Sequence, residues 1–227
     1  MLPRNGITRE EIIRITETIR ENNLHKEELN FKIIVIGDFG VGKTSIIGRF
    51  TEGQFSSHYK ITIGADFAVK TLEWDENTRI NLHVWDIAGH ERFGSLLSVF
   101  YRHAVAAAIV FDLTRPETFE SVDKWLIDLR RKLQLPGGKS LPIIILANKG
   151  DVTVSTVPKN IDDYCKNNDI LAWYITSAKN DINIDEAMIK LTRAALANYR
   201  GFKCSLLLTE DIISLNDAPV NREKQCC

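Results

Sequence analysis

Apolar positions along the chain change their period several times, and the changes mark out alternating strands and helices. Phe31 to Ile36 is a short apolar run, the pattern of a strand covered on both faces. Thr44 to Phe50 opens a helix. Asp66 to Trp74 alternates apolar and polar side chains, as does Arg79 to Trp85, where Ile80, Leu82 and Val84 share one face. The turn-like Glu76-Asn77 between these two predicts a hairpin. Ala104 to Phe111 and Pro142 to Ala147 are again continuous apolar runs. Between them Phe119, Val122, Trp125, Leu126, Leu129 and Leu133 recur at helical spacing, and Leu135-Pro136-Gly137-Gly138 ends that helix. Leu171 to Ile175 reads as a last strand, and Ile184 to Tyr199, with Ala187, Ile189, Leu191, Ala194 and Leu196, as the closing helix. Strands alternating with helices in this way predict an α/β domain. Its six-stranded sheet is mostly parallel, with one antiparallel strand from the hairpin and helices on both faces.

Both ends of the chain read differently. In residues 1–30, Thr8 and Glu11 form a capping box and Ile7 with Ile12 a hydrophobic staple. Ile12, Ile15 and Ile19 then fall on one face of an amphipathic helix. It either docks on its own domain or binds a partner or membrane surface, and its mixed charge argues against anionic lipid. After Phe202 come Leu206-Leu207-Leu208, Ile212-Ile213 and Leu215 among acids, then a polar stretch ending in Cys226-Cys227. The expected organisation is an amino-terminal helical extension over 1–30, one domain over 31–203 and a flexible tail over 204–227.

Composition narrows the classes. The 227 residues are 44% hydrophobic, enough for a real core, and the net charge of −1 with no basic stripe argues against nucleic-acid binding. No apolar run approaches the length of a membrane-spanning helix, and the first residues carry no apolar signal core, so a cytosolic chain is expected. Cys165, Cys204, Cys226 and Cys227 have neither metal-ligand spacing nor the look of a disulfide framework.

The chemistry begins after the first strand. Gly37-Asp38-Phe39-Gly40-Val41-Gly42-Lys43-Thr44-Ser45 fits the phosphate-binding loop pattern Gly-x4-Gly-Lys-Ser/Thr. Glycine is needed where backbone N–H groups turn toward phosphate oxygens, because a Cβ would block the approach. Lys43 offers a point charge, Thr44 a hydroxyl for Mg²⁺, and the following helix the positive end of its dipole. The loop alone leaves kinases, ATPases and GTPases open.

Three further stretches decide among them. Trp85-Asp86-Ile87-Ala88-Gly89 ends a strand with an acid for the Mg²⁺ shell, then a glycine whose N–H can reach a γ-phosphate. In Asn148-Lys149-Gly150-Asp151 a carboxylate can accept two hydrogen bonds from the guanine edge, whereas adenine would leave it unpaired. Ser177-Ala178-Lys179 follows the last strand and can present a backbone N–H to guanine O6.

Together with Ile63-Gly64-Ala65-Asp66-Phe67, Glu91-Arg92-Phe93 and Tyr101-Arg102, these stretches resemble the Ras superfamily and, within it, the Rab family of membrane-traffic GTPases. Ile87, Phe67-Ala68-Val69-Lys70 and the Leu135 to Gly138 insertion resemble the branch containing Rab thirty-two and Rab thirty-eight, associated with lysosome-related organelles and mitochondria. The resemblance implies the P-loop GTPase fold and a switch that cycles between GTP and GDP. Thr44 and Thr62 would coordinate Mg²⁺, with Asp86 acting through water. Phe55 and Lys149 would flank guanine, Tyr59 would lie over the phosphates, and Gly89 would anchor the second switch. Ile63, Phe67, Trp85 and Phe100 would form the effector-binding surface, although a single aromatic in a strand is more often core. Candidate catalytic groups are His90, Lys43, Gly89 and Thr62.

Two positions depart from the family pattern. Phe39 stands where Ras has glycine and would crowd an arginine finger from a partner. His90 stands where most relatives have the glutamine that orients the attacking water. Since intrinsic turnover in Ras is only on the order of 10⁻⁴ s⁻¹, hydrolysis here is expected to be slow and assisted by an activating protein. The alternative is a hydrolysis-poor GTP-bound membrane scaffold. A small P-loop kinase is disfavoured by Asn148 to Asp151.

The terminal Cys226-Cys227 resembles the Rab site for two geranylgeranyl chains, and two chains anchor stably where one does not. Expected partners are effectors of the GTP form, an exchange factor, a GTPase-activating protein, a prenyl carrier or dissociation inhibitor, and the membrane itself. The expected setting is a monomer on the cytoplasmic face of a lysosome-related organelle, endosome or mitochondrion, with a cytosolic pool.

Overall fold

The computed structural model describes residue 9 and residues 26–58, 60–89, 97–135, 138–152 and 156–216, without the side chains of Leu97 and of 204–216. Six strands form one sheet: β1 Glu27–Ile36, β2 Ala65–Asp75, β3 Thr78–Ile87, β4 Ala104–Asp112, β5 Ile143–Asn148 and β6 Ala172–Ile175. Their order across the sheet is β2-β3-β1-β4-β5-β6. Only β2 runs antiparallel to its neighbour, and every other pairing is parallel. The helices are α1 Lys43–Glu52, α2 Leu97–Tyr101, α3 Glu117–Glu120, α4 Val122–Lys132, α5 Ile161–Asn167 and α6 Ile184–Asn216.

β1 shows why its apolar run is continuous only in part. Leu29 and Phe31 are buried on one face while Glu28 and Asn30 are exposed, but from Ile33 to Ile36 every side chain is fully buried. Ile33 and Val35 enter a core with Ile46 and Phe50 of α1 and Met188 and Leu191 of α6. Ile34 and Ile36 enter a second core with Tyr101 of α2, Trp125 and Leu129 of α4 and Ile161 of α5. Helices therefore cover both faces of the sheet, as the pattern predicted. In β3 the alternation survives in the structure, with Thr78, Ile80, Leu82 and Val84 buried and the residues between them half-exposed. Asp75 accepts the Asn77 N–H at 3.0 Å, which closes the predicted hairpin at Glu76-Asn77.

Four expectations are corrected. β1 starts at Glu27, ahead of the expected strand start at Phe31, because Glu27 donates its N–H to Asn77 O at 2.7 Å and pairs with Thr78. The closing helix does not stop at Tyr199. α6 runs for 33 residues to Asn216, through a stretch with no proline and a single glycine, Gly201. The helix expected from Phe119 is two, α3 and α4, parted at Ser121. α2 and α5 were not expected, since five and seven residues are too short to show a helical period. The expected amino-terminal helix with Thr8, Glu11, Ile12, Ile15 and Ile19 lies outside the described residues.

At the pole of the sheet opposite the carboxyl ends of its parallel strands, a charged network ties β1, the hairpin and α6. Lys26 and Arg79 both pair with Glu73, at 2.5 and 2.7 Å, Arg79 reaches Glu28 at 3.1 Å, and Lys203 reaches Glu27 at 2.8 Å. These pairs are exposed and contribute little each. The apolar contact beneath them, Phe31 edge-on to Tyr199 at 5.8 Å, contributes more. Phe31→Ala is expected to cost about 3–5 kcal/mol in urea unfolding, and Lys203→Ala only a small fraction of that. Comparable losses would contradict this ranking.

Candidate functional site

Parallel strands end on the same side of a sheet, so loops far apart in sequence meet there. The loops after β1, β3, β5 and β6 all reach the carboxyl edge, and three of them, after β1, β5 and β6, supply much of the wall of a cavity of about 720 Å³. Gly40, Gly42, Lys43, Thr44 and Ser45 line one end. Asn148, Lys149, Asp151, Ala178, Lys179 and Phe55 line the other, and Thr62 and Gly89 complete the wall. Two of the predicted GTP-binding residues lie behind it. Val41 is fully buried, and Ser177 is buried and acts on Asp151.

At the phosphate-loop end the backbone conformation requires glycine. Gly42 has φ 98°, and a Cβ there would collide with the Asn148 side-chain amide. α1 follows directly with no side chain capping it, so its first N–H groups are left for an anion. Lys43 lies almost buried in the centre of the loop, donating to Gly37 O and Asp38 O at 2.9 Å each. Burial lowers its pKa to about 8 against the opposing pull of the Asp86 and Asp38 carboxylates. Gly89 packs so closely that a Cβ would lie 2.5 Å from the backbone of Asp38 and Phe39. Any side chain at that position would push the two loops apart.

Thr44, Thr62 and Asp86 meet beside Lys43. Thr44 donates to Asp86 Oδ2 at 2.5 Å, Thr62 donates to the same oxygen at 2.9 Å, and the two hydroxyls are 3.1 Å apart. Asp86 is buried and its Oδ1 has no hydrogen-bond partner among the described residues. Two hydroxyls and a carboxylate are the hard oxygen donors that Mg²⁺ takes, and an orphaned buried oxygen suits a water of its shell. Among the described residues no three His, Cys, Asp or Glu side chains cluster as a metal cage. A cation here would complete its shell with water and phosphate oxygens, as Mg²⁺ commonly does.

The other end is held by residues that the sequence reading partly missed. Asn148 donates to Val41 O at 2.8 Å, fastening the base loop to the phosphate loop, and Thr176 donates to Asn148 Oδ1 at 3.4 Å. Ser177 donates to Asp151 Oδ1 at 2.6 Å, which fixes the carboxylate expected to read guanine. Arg49 of α1 donates to Ala178 O and Lys179 O, at 3.0 and 3.2 Å. Asp112, at the end of β4, is fully buried and paired with Lys149 at 2.6 Å and Arg115 at 3.1 Å. Burial alone would raise its pKa, but hydrogen bonds from Lys149, Thr114 and Arg115 outweigh that and hold it below the usual carboxylate range. An acid closing the apolar run Ala104 to Phe111 was the available signal for Asp112. Arg49 gave none, being one of many charges on a helix surface.

Of the expected effector residues, Ile63 lies in the loop before β2, Phe67 on β2, Trp85 on β3 and Phe100 on α2. Ile63 is 83% exposed and Phe67 is 56% exposed. Phe67 stacks on Trp85 with centroids 5.5 Å apart, and Lys32 Nζ sits 3.9 Å over the Trp85 ring. Trp85 and Phe100 both pack against the second core. His90, Tyr59, Glu91 to Phe93, Cys226 and Cys227 lie outside the described residues. Among the described residues no helix is long and apolar enough to cross a membrane.

Comparison with known proteins agrees with this geometry. The sequence model of the Ras family matches residues 32–197. Ras-related protein Rab-32B of Dictyostelium discoideum is 50% identical over 167 residues, 73% of this chain and 64% of that protein, so the chain spans less than two thirds of that relative. Ras-related protein Rab-32 of Mus musculus is 45% identical over 200 residues, 87% of this chain and 90% of that protein. Ras-related protein Rab-7L1 of Homo sapiens is 43% identical over 187 residues, 82% and 88% of the two chains. The chain belongs to the Ras family and is a small GTPase of Rab type, the class of slow GTP hydrolases that regulate membrane traffic.

Proposed function

We propose that this protein is a GTP/GDP switch that recruits effectors to an intracellular membrane, and that Thr62 is its hinge between nucleotide and partner. The observation that supports this most is the Thr62 hydroxyl on Asp86 Oδ2 beside Thr44. It ties the loop carrying exposed Ile63, and through it Phe67, to the phosphate end of the cavity. A γ-phosphate, present or absent, then decides whether that loop is held.

In this reading the N–H groups of Gly40 through Ser45 and the Lys43 ammonium hold the phosphates. Asp151, oriented by Ser177, reads the guanine edge. Lys149 and Phe55 flank the base, Ala178 and Lys179 offer backbone N–H groups to it, and Tyr59 covers the phosphates. Thr44, Thr62 and Asp86 would hold Mg²⁺, which supplies charge neutralisation at the β- and γ-phosphates. Gly89 carries the second switch against the phosphate loop, and His90 orients the attacking water poorly, so an activating protein completes the site. Ile63, Phe67, Trp85 and Phe100 are the surface that effectors read. Lipids on Cys226 and Cys227 anchor the protein to the cytoplasmic face of a lysosome-related organelle, endosome or mitochondrion, with a prenyl carrier and an exchange factor as further partners.

Three outcomes test this. Asp151→Asn should weaken GDP binding by about a hundredfold or more in titration calorimetry, since it replaces an acceptor with a donor against guanine. Single-turnover hydrolysis should be at least several-fold faster in His90→Gln than in the native protein, and equal rates would remove His90 as the slow element. An affinity pull-down with the GTP-loaded protein should capture partners that the GDP form does not, and Ile63→Ala with Phe67→Ala should lose them while binding nucleotide normally. Purified protein carrying mostly GTP, with capture unaffected by nucleotide, would favour a constitutive scaffold.

A further inference from the structure

Asp112 joins the two loops that enclose the nucleotide by a route separate from Asn148. Its two carboxylate oxygens are divided between two tasks. Oδ1 accepts the Thr114 N–H at 2.9 Å and the Thr114 hydroxyl at 2.6 Å, which builds the turn after β4. Oδ2 receives Lys149 Nζ at 2.6 Å and Arg115 Nε at 3.1 Å. Arg115 then passes its other end to the phosphate loop, donating from Nη2 to Phe39 O at 2.7 Å. Lys149 lines the cavity and stands in a left-handed backbone conformation, φ 65°, within the base loop. The result is a continuous path from base loop to phosphate loop, Lys149 to Asp112 to Arg115 to Phe39, with one buried oxygen at its centre.

The arrangement differs from an ordinary surface ion pair. The Asp112 side chain is fully buried while both cations remain more than a third exposed. A buried carboxylate must keep its partners or leave an uncompensated charge, so it commits both cations to fixed positions. Trp125 of α4 adds a parallel hold, donating from Nε1 to Asp38 Oδ1 at 2.8 Å. The outer side of the phosphate loop is thus gripped by groups that do not line the nucleotide cavity.

We propose that Asp112 is a positioning residue that sets how long the nucleotide stays bound, by making base loop and phosphate loop open together rather than separately. This rests on the nucleotide site proposed above. With Asp112 in place, Lys149 cannot swing from the base without breaking a bond at the oxygen that also holds Arg115, and Arg115 cannot release Phe39 O freely. Loss of the shared oxygen lets each loop fluctuate alone, and release needs only one of them to open.

Asp112→Asn tests this because it alters little else: the amide oxygen can keep the Thr114 bonds, while the amide nitrogen replaces Oδ2 and cannot accept from Lys149 or Arg115. Dissociation of a fluorescent GDP analogue from the full chain with Mg²⁺ should be about tenfold faster in Asp112→Asn. Arg115→Ala, at a partly exposed position, should speed release several-fold in the native background and less than twofold in the Asp112→Asn background. That non-additivity is the signature of a shared path, which a role in stability alone would not produce. An unchanged dissociation rate in Asp112→Asn, or an Arg115→Ala effect of equal size in both backgrounds, would overturn the proposal. If Asp112→Asn does not fold, Lys149→Met with and without Arg115→Ala gives the same cycle, and additive effects there overturn it equally. Absence of GDP binding by the native chain would instead overturn the site itself, so the two failures are distinguishable.

Discussion

The full burial of the carboxyl half of β1, Ile33 to Ile36, between two cores is the constraint on which the rest depends. From Ile33 to Ile36 no side chain can leave its layer without exposing apolar surface on one face or the other. A one-residue slip against β3 or β4 would exchange the two sets, Ile33 with Val35 and Ile34 with Ile36. That register fixes where β1 ends, hence where Gly37 turns and where α1 begins. Parallel pairing carries the same level across β3, β4 and β5, so Ile87, Asp112 and Asn148 deliver their loops to a common edge.

On that rigid edge the protein places charges that an apolar interior would not otherwise tolerate. Lys43, Asp86 and Asp112 are all buried, and each is compensated differently. Lys43 is paired with loop carbonyls and stands ready for anionic oxygen. Asp86 gathers two hydroxyls on one oxygen, and its other oxygen has no hydrogen-bond partner among the described residues. Asp112 uses every lone pair it can on its own chain, and it is therefore the structural charge of the three. The loops that must be fixed, after β1, β4, β5 and β6, are tied by short side-chain bonds into neighbouring elements.

The loop between α1 and β2 is held differently. Between Gln54 and Gly64 the described chain has no regular secondary structure, its side chains are mostly exposed, and its hold on the site is the Thr62 hydroxyl. An anchor of one side chain at the phosphate end, with Ile63 exposed beside it, can be made and released at modest cost. Phe67 and Trp85, by contrast, sit on paired strands and keep their stacking. Under the switch proposed above, the partner surface has one fixed half and one conditional half.

Much of this was legible in the sequence. The period changes located all six strands, because strands buried on two faces and on one face have different patterns, and Gly42, Lys43, Thr44 and Asp151 were found from motifs whose spacing is local. Short helices such as α5 and the continuation of α6 were not, since a few turns carry no period and nothing local stops a helix at Tyr199. The sequence by itself determined the order of the strands and the residue types expected to face a phosphate and a guanine. Only the tertiary structure decided which distant residues hold those groups in place: Arg49 on the 177–179 loop, Trp125 on Asp38, and Asp112 between Lys149 and Arg115. The reason is physical. A buried charge is specified by its partners in space, and parallel pairing across β1, β4 and β5 brings together positions that no periodicity along the chain connects.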